Sequence, residues 1–106
     1  MLNGYGYTTE RKRAVFNKTG GLCRYCEKQL AFSNYGSRSG RGGWEVDHSV
    51  SRANGGSDHL NNLVPACWQC NLDKGSRNGA SYLAYRRRNG LPAPSAGGFW
   101  EWLFGS

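Results

Sequence analysis

The sequence predicts a small α+β domain stapled by a bound metal, and three observations predict it. Sixteen glycines among 106 residues, with long polar stretches, leave few continuous apolar segments, so the chain builds only a thin core. Four cysteines stand as two Cys-x-x-Cys pairs, Cys23-Arg-Tyr-Cys26 and Cys67-Trp-Gln-Cys70, and a core this thin needs such a staple. From Trp44 onward the chain reads as strand, glycine-rich loop, strand and helix, with further helices on either side. The length suits a single domain, with a core at about residues 20–78 and a C-terminal helix and aromatic tail at about 79–106.

Each element has its own signal. Thr8 or Thr9 is placed to cap a helix running to about Lys18, with Glu10 in the first turn, where the helix dipole favours an acid. Gly20-Gly21 ends that helix and delivers the first cysteine pair. Residues 33–43 (SNYGSRSGRGG) carry Arg38 and Arg41 among Gly and Ser. They read as a mobile basic loop, either a plain connection or a phosphate contact. Trp44 to His48 alternates as a short strand, residues 51–58 with Gly55-Gly56 form a turn-rich loop, and Leu60 to Ala66 reads as a second strand. The second cysteine pair opens a helix from Trp68 to about Gly75, and another runs from Ala80 to Arg88 before Gly90 stops it. Pro92 and Pro94 begin an irregular tail. Its aromatic cluster at Phe99 to Phe104 is expected to pack on the core, with a dimer contact as the alternative.

Two knuckles presenting two thiolates each make a tetrahedral four-sulfur site that suits Zn²⁺, through Cys23, Cys26, Cys67 and Cys70. Disulfides, a redox dithiol or an iron site are the other readings of the same spacing. The N-terminal residues run into Arg11-Lys12-Arg13 and not into an apolar leader core, so nothing marks secretion. No apolar run approaches a membrane span. Fourteen Lys and Arg against seven Asp and Glu give a formal charge of +7. A zinc ion on four thiolates would leave about +5. That balance points to a polyanionic partner, DNA or RNA, although solubility alone accounts for it equally well.

The stretch EVDHSVSRANGGSDHLNNLVPACWQCNLDKG, from Glu45 to Gly75, resembles the signature of the HNH endonucleases: Asp-His, a Gly-Gly loop, Asn-Leu, Cys-x-x-Cys-Asn and Lys-Gly. With Cys23 and Cys26, the resemblance spans roughly half the chain, and zinc spacing and catalytic residues interlock in one register. It implies a ββα-metal core with flanking helices, matching the element order above. It implies that His48 is the general base, that Asp47 and Asn71 hold a catalytic divalent cation, and that Asn62 orients the base. Asn61 competes with Asn62, but Asn62 sits directly before Leu63. The last motif residue is often His in the family and is Asn71 here. That oxygen donor suits Mg²⁺ or Mn²⁺. The family often carries a proline shortly after the base, which Ser49 to Arg52 lacks.

The expected reaction is phosphodiester hydrolysis in DNA, double-stranded in expectation, by nicking or double-strand cleavage. An imidazole takes the proton of water at neutral pH, and one divalent cation stabilises the phosphoryl and leaving oxygens. Arg52, Lys74, Arg77, Arg38 and Arg41 are candidate DNA contacts, with an ordinary surface lysine as the plainer alternative for Lys74. Asp58-His59 is a second Asp-His pair, out of register with the family pattern. The competing function is a non-catalytic zinc-dependent module that binds nucleic acid, and a partner-binding zinc domain stands behind it. The resemblance suggests a bacterial or phage protein of the cytoplasm, monomeric or homodimeric.

Overall fold

The computed structural model describes residues 6–94. The elements are α1 (Thr9–Asn17), β1 (Trp44–His48), β2 (Leu63–Cys67), α2 (Trp68–Lys74) and α3 (Gly79–Arg88), with single 3-10 turns at Phe32–Asn34, Arg52–Asn54 and Leu60–Asn62. This is the small α+β arrangement expected, with strand, loop, strand and helix in that order. Thr8 caps α1, its hydroxyl accepting from the Arg11 amide at 3.1 Å, with Glu10 in the first turn.

β1 and β2 form a two-stranded antiparallel sheet in the register Trp44↔Cys67, Val46↔Pro65 and His48↔Leu63. Pro65 has no amide hydrogen, yet its carbonyl accepts from the Arg24 amide at 2.9 Å, so the first cysteine knuckle closes the open edge of β2. The second strand begins at Leu63 and not at Leu60. Residues 60–62 turn as a 3-10 helix instead, because Asn62 spends its amide on the preceding loop and Leu60 stays exposed. Residues 33–43, expected as a mobile loop, form successive turns closed by hydrogen bonds. Ser37 accepts from the Gly40 amide at 2.7 Å, and Asn34 donates to the Arg41 carbonyl at 2.6 Å.

The core is small and aromatic. Trp44 is fully buried, with the rings of Phe16, Phe32 and Tyr35 centred 5.2, 5.9 and 4.8 Å from it. A second group joins α3 to the first knuckle, with Tyr25 and Tyr82 edge to face at 5.3 Å. The aromatic cluster at residues 99–104 lies outside the described residues. Among the described residues no helix is long and apolar enough to cross a membrane.

Candidate active site

The four cysteines converge. One ligand sulfur from each of Cys23, Cys26, Cys67 and Cys70 lies within 4.8 Å of the others. All four are free thiols, with Cys26 and Cys67 Sγ 3.8 Å apart, well beyond the roughly 2.05 Å of a disulfide. Each knuckle folds its backbone back on its own sulfur: the Tyr25 amide points to Cys23 Sγ and the Cys70 amide to Cys67 Sγ, both at 3.4 Å. Cys67 is also the N-cap of α2, so a metal bound here would join the end of β2, the start of α2 and the first knuckle.

Because α2 starts one residue after β2 ends, it folds back over β1. Residues two apart on a strand share a face, and Glu45 and Asp47 share the one that α2 covers. Asn71 reaches Glu45, its Nδ2 donating to Oε1 at 2.8 Å. One turn on, Lys74 reaches Asp47, its Nζ donating to Oδ1 at 3.3 Å and to the His48 carbonyl at 3.2 Å. Tyr25 completes the setting of Asp47, its hydroxyl donating to Oδ2 at 2.6 Å. Burial holds the carboxyl pKa of Asp47 above its ordinary value, and the Lys74 ammonium and the Tyr25 hydroxyl offset only part of that rise.

His48 turns the other way. Its Nε2 lies 2.9 Å from Asp58 Oδ1, across the Gly55-Gly56 loop, and its side chain is 15% exposed. The same oxygen accepts from the Tyr7 hydroxyl at 2.8 Å and has the Arg52 guanidinium 3.8 Å away, while Arg11 donates to the Asp58 carbonyl. The Tyr7 hydroxyl first and His48 second hold the Asp58 carboxyl below its ordinary pKa. Asn62 closes the loop from below: its Oδ1 accepts from the Val50 amide at 2.8 Å, and its Nδ2 donates to the carbonyls of Val50 and Ser57 at 3.0 and 2.8 Å. Gly56 makes this return possible, since a Cβ there would lie 1.7 Å from the Val50 carbonyl oxygen.

Asp47, His48, Arg52 and Lys74 line one cleft of about 310 Å³ beside the end of β1. Asn71 is not among its walls. Each expected cation ligand is engaged by another side chain, Asp47 by Lys74 and Asn71 by Glu45.

One expected DNA contact, Lys74, is corrected by the fold. Lys74 has a side chain only 1% exposed, its ammonium spent on Asp47, because the helix face expected to meet solvent is the one laid on β1. Arg77 is half-buried, donates to the carbonyls of Asp73 and Lys74, and stacks over Tyr82 and Tyr85 at 5.1 and 4.8 Å, tying α2 to α3. Arg52 is exposed beside the cleft, and Arg38 and Arg41 are exposed in a separate cleft with Lys28 and Trp68. Sequence reasoning missed Tyr25, Glu45 and the place of Asp58, which it weighed only as the neighbour of His59. The spacing of ten residues from His48 to Asp58 carries no periodic signal, and only the folded-back loop makes them partners.

The sequence model of one family, described as HNH endonuclease, matches residues 23–77, just over half the chain. No curated protein sequence matches the chain. Among solved structures the fold is similar to the Type II-C Cas9 enzyme from Actinomyces naeslundii, with a TM-score of 0.59 at 22% identity over 87% of this chain. This chain spans only 9% of the length of that protein. With the cysteine cluster, the two-strand sheet and the Asp-His end of β1 all inside the matched stretch, the chain belongs to the HNH endonuclease family.

Proposed function

We propose that the protein is a metal-dependent endonuclease that hydrolyses phosphodiester bonds in DNA, with His48 as the general base. The observation that carries this reading is the cleft at the end of β1. There a family-register His48 stands beside the Asp47 carboxylate and the exposed Arg52, on a sheet joined to the cysteine cluster.

Zinc is the metal we assign to the four thiolates. A Zn–S bond of about 2.3 Å sets tetrahedral sulfurs about 3.8 Å apart, and Cys26 and Cys67 have that separation. Its role is structural, since four sulfurs leave no open position for substrate.

The donors for a second, hard cation are oxygens on one face of β1 and α2: the Asp47 carboxylate, the Asn71 amide oxygen and the Glu45 carboxylate. That set fits Mg²⁺ or Mn²⁺ better than a softer metal. Asp47 already holds positive charge in the form of the Lys74 ammonium, so occupation by a cation requires Lys74 to yield Oδ1. When bound, the cation supplies charge stabilisation at the phosphoryl and leaving oxygens. The residues of the chain supply the rest. His48 takes a proton from water, Arg52 meets the phosphate, and Asn62 holds the loop that follows the base.

The test is cleavage of supercoiled plasmid by the zinc-loaded protein with Mg²⁺ or Mn²⁺ added. Wild type is expected to cut, and His48→Ala to lose cutting while keeping its zinc content and circular dichroism. Normal cutting by His48→Ala sinks the assignment of the base. One observation favours a second reading, a non-catalytic nucleic-acid-binding module: Asp47 and Asn71 are each engaged by another side chain. Salt-sensitive DNA binding without cleavage under any divalent cation would select that reading.

A further inference from the structure

We infer that Asp58 is a positioning residue that holds His48 with its proton on Nε2, leaving Nδ1 as the nitrogen that accepts a proton from water. The inference rests on the nuclease reading for its consequence, but its first half concerns the protein with no substrate or catalytic cation present.

The argument starts from what each group can do. A neutral imidazole has one N–H and one lone pair, and the partner of one nitrogen decides where the proton resides. An ionised carboxylate only accepts. His48 Nε2 and Asp58 Oδ1 are 2.9 Å apart, so with Asp58 ionised the hydrogen between them belongs to Nε2. Asp58 does not meet His48 by chance of a long side chain. Its Oδ1 also accepts from Tyr7 at 2.8 Å, its carbonyl accepts from Arg11, and its loop is closed by the Asn62 amide on the Ser57 carbonyl at 2.8 Å. Oδ1 is thus held between Tyr7, just before α1, and His48 at the end of β1, while Arg11 and Asn62 hold the backbone carbonyls of Asp58 and Ser57.

The arrangement also orients the ring. Held at Nε2 by a fixed acceptor, the imidazole presents Nδ1 away from Asp58. The Arg52 guanidinium, 3.8 Å from the same Oδ1, offsets the carboxylate's repulsion of an approaching phosphate. Asp58 touches neither phosphate nor water in this scheme. It acts through His48.

The experiment uses zinc-loaded protein with ¹⁵N-labelled histidine, free of DNA and divalent cation, under alkaline conditions that leave the imidazole neutral. The two histidines, His48 and His59, are distinguished by a His59→Gln variant. Wild-type His48 is expected to show the nitrogen shifts of the Nε2–H tautomer. Asp58→Ala is expected to lose that preference, and its turnover on plasmid is expected to fall roughly tenfold to a hundredfold at saturating DNA. That is less than the largest losses on removal of a general base. Asp58→Glu is expected to recover part of both. A wild-type His48 protonated on Nδ1 overturns the inference even if Asp58→Ala fails to fold. An Asp58→Ala protein with the tautomer unchanged, with turnover unchanged, or with faster cutting (which would make Asp58 a blocker of the base) overturns it too. Absence of cleavage by wild type would instead defeat the nuclease reading, and the tautomer measurement still tells the two failures apart.

Discussion

At the scale of the residue, the Asp47–Lys74 pair is a buried charge pair lining the candidate site. A carboxylate and an ammonium 3.3 Å apart, with side chains 7% and 1% exposed, have lost most of their hydration. Their stability rests on each other and on the Tyr25 hydroxyl and His48 carbonyl. Removing one partner of such a pair leaves an uncompensated buried charge, which costs about 3–5 kcal/mol. Lys74→Met is therefore expected to lose stability of that order in denaturant unfolding of the zinc-loaded protein. The same variant is expected to bind Mn²⁺ more tightly, as read by the electron paramagnetic resonance of free ion, because Asp47 no longer has an ammonium to exchange. A loss under about 1 kcal/mol, the size of an exposed pair, would mean that the pair is hydrated in solution. Gly56 is a second sensitive residue, for steric and not electrostatic reasons. Alanine there would place a Cβ 1.7 Å from the Val50 carbonyl oxygen, so the loop must shift, at about 1–3 kcal/mol. The thermal midpoint of Gly56→Ala measures this.

At the scale of the element, the short sheet works because other pieces cover it. β2 is buried along its whole length, and the first knuckle takes the edge that Pro65 leaves without a donor. Trp44, at the start of β1, anchors the sheet against α1 and the 32–35 turn through three aromatic neighbours. Trp44→Ala is expected to cost about 3–5 kcal/mol, as for a large aromatic removed from a core, and an intact thermal transition would refute that. Helix α1 contributes more than cover. Its capped first turn begins next to Tyr7 and carries Arg11, and both contact Asp58. Thr8→Ala is expected to cost about 1 kcal/mol for the lost cap. If the N-terminal clasp matters to the site, hydrogen exchange in residues 55–59 should quicken in this variant. An unchanged loop would uncouple α1 from the site.

At the scale of the whole molecule, a chain with so small a core depends on its cysteine cluster. The four sulfurs come from the end of β2, the start of α2 and the first knuckle, and a metal held there would join them, so adding a chelator is expected to collapse near-ultraviolet circular dichroism and tryptophan burial together. A chelated protein that keeps both would show that the aromatic core suffices alone. Much of this architecture was legible in the sequence. Cysteine spacing, the alternation at Trp44 to His48 and the Asp-His, Asn-Leu and Cys-x-x-Cys-Asn register are local patterns, and local patterns determine local structure and family. The sequence by itself therefore determined the order of elements, the cysteine cluster and the family. Tertiary structure alone decided the partners: Lys74 inside on Asp47, Arg77 on the tyrosines of α3, Asn71 on Glu45, and Asp58 on His48. The physical reason is that a charged side chain at a given spacing can face solvent or a buried opposite charge. Which it does depends on where the neighbouring element is laid, and no periodicity along the chain encodes that.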